Sequence, residues 1–152
     1  MKIFVSYSFG DGELHIVSLL LEELRQKGYT VETSHQMSRL YLSDYKIVNS
    51  DFFVGIITNN SESINEVIAE WRIAQSRNIS NVLVIEEGVR VAENPNQQFI
   101  RFNRNNPRQA IDQLLNRNRQ NSGSQTSLED AVAFGAIVVG IAALISLLSG
   151  KR

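Results

Sequence analysis

Three features of the chain predict an α/β protein built on a doubly wound parallel sheet. Short apolar runs alternate with stretches of helical periodicity. One of those runs, residues 51–58 (DFFVGIIT), is apolar almost throughout, as expected of a central strand covered on both faces. Polar loops, one of them carrying two glycines, separate the first strand from its helix and the second strand from the next helix.

Residues 3–6 are a short apolar run entering the loop Ser8, Phe9, Gly10, Asp11, Gly12, which predicts a strand ending in a turn. Leu14, Val17, Leu20, Leu21 and Leu24 keep helical spacing, and Gly28 stands where a C-terminal cap belongs. Residues 29–32 read as a second strand, residues 33–38 as a polar loop, and Leu40, Ile47 and Val48 as the apolar face of a weak helix. After the central run come a helix over 61–77, a fourth strand at 82–85 and a shorter fifth at 99–102. Asn106-Pro107 then opens a helix with Ala110, Ile111, Leu114 and Leu115 on its apolar face, since proline suits the first helical position. This order implies five parallel strands in a flavodoxin-like arrangement. Ligands are expected beyond the carboxyl ends of such strands.

The helix over 61–77 (SESINEVIAEWRIAQSR) carries the candidate chemistry. Ile64, Val67, Ile68, Trp71 and Ala74 form its apolar stripe, and Ser63 with Glu66 forms a capping box. Glu62, Glu66 and Glu70 stack at four-residue steps off that stripe. The first two suit the positive end of the helix dipole, whereas Glu70 lies a turn further in with no ion-pair partner at helical spacing. Glu70 is therefore the candidate catalytic carboxylate, against the bland alternative of a solvated helix glutamate.

Composition narrows the function. A chain of 152 residues holds one domain and a short appendage. Its net charge of -1 argues against a phosphate-dominated nucleic-acid binder. With no cysteine, thiolate chemistry, disulfides and Cys-based zinc sites are excluded, and His15 and His35 show no metal-ligand spacing, so no metal is expected. No secretory signal is read at the start, because the first apolar run is too short. Residues 131–150 (AVAFGAIVVGIAALISLLSG) carry no charge and match the roughly 20 apolar residues of a membrane-spanning helix. A core helix packed inside an oligomer is the alternative. Small residues along this segment suit helix–helix association. The expected organisation is a domain over 1–120, a polar linker over 121–130 and a transmembrane helix over 131–150, the domain facing the cytoplasm. Arg101, Arg104, Arg108, Arg117 and Arg119, with only Asp112 as a nearby acid in sequence, form a basic stretch that an anionic leaflet would attract.

With these residues in view, residues 1–120 resemble a TIR (Toll/interleukin-1 receptor) domain of the prokaryotic type. Phe4-Val5-Ser6-Tyr7-Ser8 with Asp11 and the helix after it is similar to the family's opening F-[IV]-S-Y-S-x-x-D. Residues 65–74 are similar to S-x-W-V-x-x-E-x-x-x-A, with Val67, Glu70 and Ala74 in place and Glu66 at the tryptophan position. The resemblance implies a flavodoxin-like TIR fold and cleavage of the nicotinamide–ribose bond of NAD+, taken as substrate with no separate cofactor. It also implies self-association and a role in antiviral defence or cell-death signalling. It places catalysis at Glu70 and substrate contacts at Ser8, Phe9, Gly10 and Trp71. The loop over 33–38 lacks the R-D-x-x-P-G box of animal adaptors, so receptor–adaptor pairing is not implied.

Three other readings bear on the same pattern. A receiver domain needs an aspartate ending the third strand, where this chain has Thr58-Asn59. A nucleoside deoxyribosyltransferase would also use a glutamate on an N-glycosidic bond, but leaves the apolar C-terminal segment unexplained. A non-enzymatic sensor or scaffold, whose assembly gathers transmembrane helices to disrupt a membrane, explains that segment and leaves Glu70 without a task.

Overall fold

The computed structural model describes residues 1–7, 14–33, 40–59, 64–91, 99–106, 108–110, 112–113, 116, 135 and 139–147. Five strands, β1 (Lys2–Tyr7), β2 (Thr30–Thr33), β3 (Phe52–Ile57), β4 (Ser80–Glu86) and β5 (Phe99–Phe102), form one sheet in the order β2-β1-β3-β4-β5. Every pairing is parallel. Helices α1 (Leu14–Gln26), α2 (Leu40–Val48) and α3 (Ile64–Ser76) make the crossovers. This is the α/β flavodoxin-like arrangement that the alternation of the sequence predicts.

Side-chain alternation along the strands divides the core in two. Ile3 and Val5 of β1 join Phe52, Val54 and Ile56 of β3 beneath Val17, Leu20, Leu21 and Leu24 of α1. Phe4 and Phe53 face the other way, stacked with centroids 5.8 Å apart, and are covered by Ile47 of α2 and Val67, Ile68, Trp71 and Ala74 of α3. Every residue of β3 is buried, which is why its run is apolar without alternation.

Two helices end alike. The Gly28 N–H donates to Arg25 O (2.9 Å) and that of Tyr29 to Leu24 O (3.2 Å), with Gly28 at φ 93°. At the end of α3, Asn78 N–H donates to Gln75 O (3.1 Å) and Ile79 N–H to Ala74 O (3.0 Å), with Asn78 at φ 56°. Both are left-handed caps. Glycine is the expected residue there, and asparagine the usual substitute.

Of the expected span over 131–150, the structure describes residues 135 and 139–147. Among the described residues no helix is long and apolar enough to cross a membrane. Residues 139–147 are helical, and Ile141, Leu144 and Ile145, at most 1 % exposed, belong to the core on the α1 side of the sheet. The expectation of a span assumed that so small a domain offers nothing to bury this segment. For residues 139–147 that assumption holds only for part of the circumference, because α1 and the strands beneath it present an apolar face that these residues cover. Ala110 is buried in the same core, while Ile111, Leu114, Leu115 and the linker over 121–130 lie outside the described residues.

Candidate active site

Glu70 is on the buried side of α3, not on the solvent side. The helix buries Val67, Ile68, Glu70, Trp71 and Ala74, and Glu70 is 3 % exposed. At about 100° per residue Glu70 lies at the edge of the buried face, and the arc from Ile68 through Trp71 to Glu70 spans roughly 160°, wider than the apolar stripe alone. Glu66 is exposed as expected; Glu62 and Ser63 lie outside the described residues.

The partner comes from a strand distant in sequence. Ser6 Oγ donates to Glu70 Oε1 at 2.5 Å, and Ser6 is 0 % exposed. Ser6 sits near the carboxyl end of β1, where it alternates with Phe4 toward α3. Its register partner on β3 is Gly55, whose own partner on β4 is Leu83. A β-carbon on Gly55 would lie 2.6 Å from Leu83 Cδ1 and 3.1 Å from Phe53 Cε1, so the glycine lets these two side chains close the sheet surface beside Ser6. The arrangement holds one carboxylate oxygen at a fixed point in a low-dielectric setting.

Trp71, the neighbour of Glu70, is fully buried, and its Nε1–H donates to Asn81 Oδ1 at 2.9 Å. Asn81 in turn donates to Ile79 O at 2.9 Å. Trp71 thus pins α3 to the start of β4 and presents no surface to a ligand in this conformation, contrary to the substrate contact the resemblance implies. Ser8, Phe9 and Gly10 lie outside the described residues. At the mouth of that loop Tyr7 is half-buried, and burial pushes its phenol above the ordinary tyrosine value, against the opposing effects of a Thr33 side-chain hydrogen bond and the Arg25 charge.

A second polar cluster, which the linear sequence did not single out, occupies the carboxyl ends of β3, β4 and β5. Arg104 forks onto buried Glu86, Nε to Oε2 at 2.7 Å and Nη2 to Oε1 at 3.0 Å. The Asn59 N–H donates to Glu86 Oε1 at 2.9 Å, and Asn103 Nδ2 donates to Glu87 Oε2 at 2.9 Å. Asn59, Glu86, Glu87, Gly88, Asn103 and Arg104 line an open cavity of about 450 Å³. The sequence signal was the pair Glu86-Glu87 directly after an apolar strand. This cluster also revises the basic stretch: Arg104 is committed to Glu86, and Arg101 Nη1 donates to Val89 O at 3.0 Å, so neither guanidinium is spare for a lipid surface. Among the described residues no group of His, Asp or Glu is arranged to hold a metal ion.

No protein-family model and no curated protein sequence matches the chain.

Proposed function

We propose that the chain is a membrane-anchored NAD+ glycohydrolase of TIR type, with Glu70 as its catalytic carboxylate and the N-terminal domain on the cytoplasmic side. One observation supports this reading above others: a carboxylate removed from water and held by the Ser6 hydroxyl at the carboxyl half of β1. Burying an ionisable group opposes folding by several kcal/mol unless interactions compensate, so a glutamine or leucine would serve packing alone better. Carboxylates buried in this way are candidates for functional sites.

The chemistry asks little of the protein beyond that carboxylate. The nicotinamide of NAD+ is cationic and leaves as a neutral base without a general acid. The C–N bond breaks with its electron pair going to nicotinamide, and the ribose becomes oxocarbenium-like. A fixed negative charge stabilises that developing cation and accepts hydrogen bonds from ribose hydroxyls. Water then adds to the sugar carbon, or a second nucleophile closes a ring.

Glu70 is nearly inaccessible in this conformation, so on this reading the structure represents a resting state. Self-association activates the enzyme by shifting α3 to open the carboxylate to substrate, and a membrane anchor favours that step by raising local concentration.

The near-complete burial of Glu70 also favours a second reading, in which Ser6 and Glu70 are a structural pair in a non-enzymatic scaffold. Nicotinamide release from NAD+ separates the two, measured with the full chain on liposomes at several protein densities beside Glu70→Gln. Release that rises steeply with density and vanishes in the variant supports the enzyme. No release at any density, or equal release by both, removes Glu70 catalysis.

A further inference from the structure

Residues 131–150 contain no charged side chain, with Asp130 before them and Lys151 after. The structure nevertheless uses part of this stretch as core. Gly140 lies so close to α1 that a β-carbon there would be 2.8 Å from Leu20 Cδ1 and 3.9 Å from Leu24 Cδ2. Ile141, Leu144 and Ile145 are buried in the same core as Val17, Leu20, Leu21 and Leu24.

The opposite side of the helix is also apolar, and it is bare. Val139 is 53 % exposed and Leu147 43 %, with exposed Ala143 between them at four-residue steps, so the three form one line along the helix. A helix whose final place is a domain surface normally carries polar residues on its outer line. Here the docked position leaves large apolar groups in water, whereas a bilayer covers a helix on every side. The charge-free run has about the length a bilayer requires.

We propose that this segment has two mutually exclusive positions, one against α1 and the sheet and one in a lipid bilayer, so that docking holds the protein off the membrane. The inference rests on the membrane anchoring proposed for the chain. The same residues, Gly140, Ile141, Leu144 and Ile145, serve both positions, which is what makes them exclusive. Undocking exposes Val17, Leu20 and Leu24 on α1 while insertion covers Val139 and Leu147, so apolar surface is exchanged between the two states.

The test uses the full chain carrying Leu20→Cys with Gly140→Cys, in a background that has no other cysteine. Removing Leu20 makes room for the new side chain at Gly140. A short bifunctional thiol reagent with a cleavable disulfide spacer links the pair, and flotation with phosphatidylcholine vesicles containing a minority of phosphatidylglycerol reads membrane association. The linked protein is expected to stay in the aqueous fraction and to float after the spacer is reduced. Equal flotation of linked and reduced protein overturns the proposal, as does failure of the pair to link in vesicle-free protein. If neither the reduced variant nor the wild type floats, the membrane reading falls as well, and the segment is a permanent core helix. A single Leu20→Cys gives a readout that needs no crosslink: a water-soluble maleimide labels it slowly without vesicles and faster with them, and labelling unchanged by vesicles refutes the exchange.

Discussion

Replacing Ser6 by alanine probes the contact on which the candidate site rests. The hydroxyl donates at 2.5 Å to a carboxylate that is 3 % exposed, from a serine that is itself fully buried. A hydrogen bond to a charged group contributes about 1.5–3 kcal/mol, and a buried acceptor deprived of one loses about 1–3 kcal/mol. The expected cost of Ser6→Ala is therefore about 2 kcal/mol. For a domain of this size that is a fall in Tm of about 4–8 °C. Packing contributes little to the loss, because the substitution removes one oxygen and no methylene. Urea unfolding of wild type, Ser6→Ala, Glu70→Gln and the double variant completes a cycle whose coupling free energy isolates the pair. A coupling above about 1 kcal/mol is expected for residues in direct contact. A cycle that closes to within about 0.3 kcal/mol, with Ser6→Ala as stable as wild type, refutes the claim that Ser6 holds the carboxylate. Under the proposed function, the same four proteins assayed for nicotinamide release separate holding from catalysis: Glu70→Gln is expected to abolish release, whereas Ser6→Ala is expected to lower it and leave a residue.

The geometry carries three further expected outcomes. Gly55→Ala places a methyl 2.6 Å from Leu83 Cδ1 and is expected to destabilise by about 1–3 kcal/mol in urea unfolding, with part of the loss recovered in combination with Leu83→Ala. Arg104→Ala leaves Glu86, 6 % exposed, without its forked partner and is expected to cost about 3 kcal/mol, whereas Arg104→Lys keeps the charge, loses the fork and falls between. Tyr7 holds its proton more tightly folded than unfolded, so its contribution to stability is full below about pH 10 and is lost as pH rises through the higher folded value. In a spectrophotometric titration one tyrosine should ionise late, and Tyr7→Phe should remove that late phase.

How much was legible in the sequence differs element by element. The unbroken apolar run of β3 announced a strand buried on both faces, and it is the middle strand of the sheet. Gly28 announced the end of α1, whereas the equivalent cap at Asn78 went unread because asparagine is a weaker signal than glycine. Glu70 was found and its surroundings were misjudged. Spacing along a helix gives the centre of the buried arc but not its width, and the width depends on the surface the helix lies upon. Glu86 and Arg104 stand 18 residues apart on separate elements, so no local pattern joins them.

The sequence by itself determined the alternation of strand and helix, the parallel sheet, the central strand and the helix that carries Glu70. These come from backbone periodicity and turn chemistry, which are properties of neighbouring residues. Tertiary structure alone decided that Glu70 faces inward to Ser6, 64 residues away, that Arg104 closes on Glu86, and that residues 139–147 lie over α1. Each of these depends on strand register and on which apolar face is left to cover, quantities that exist only once the whole chain has folded.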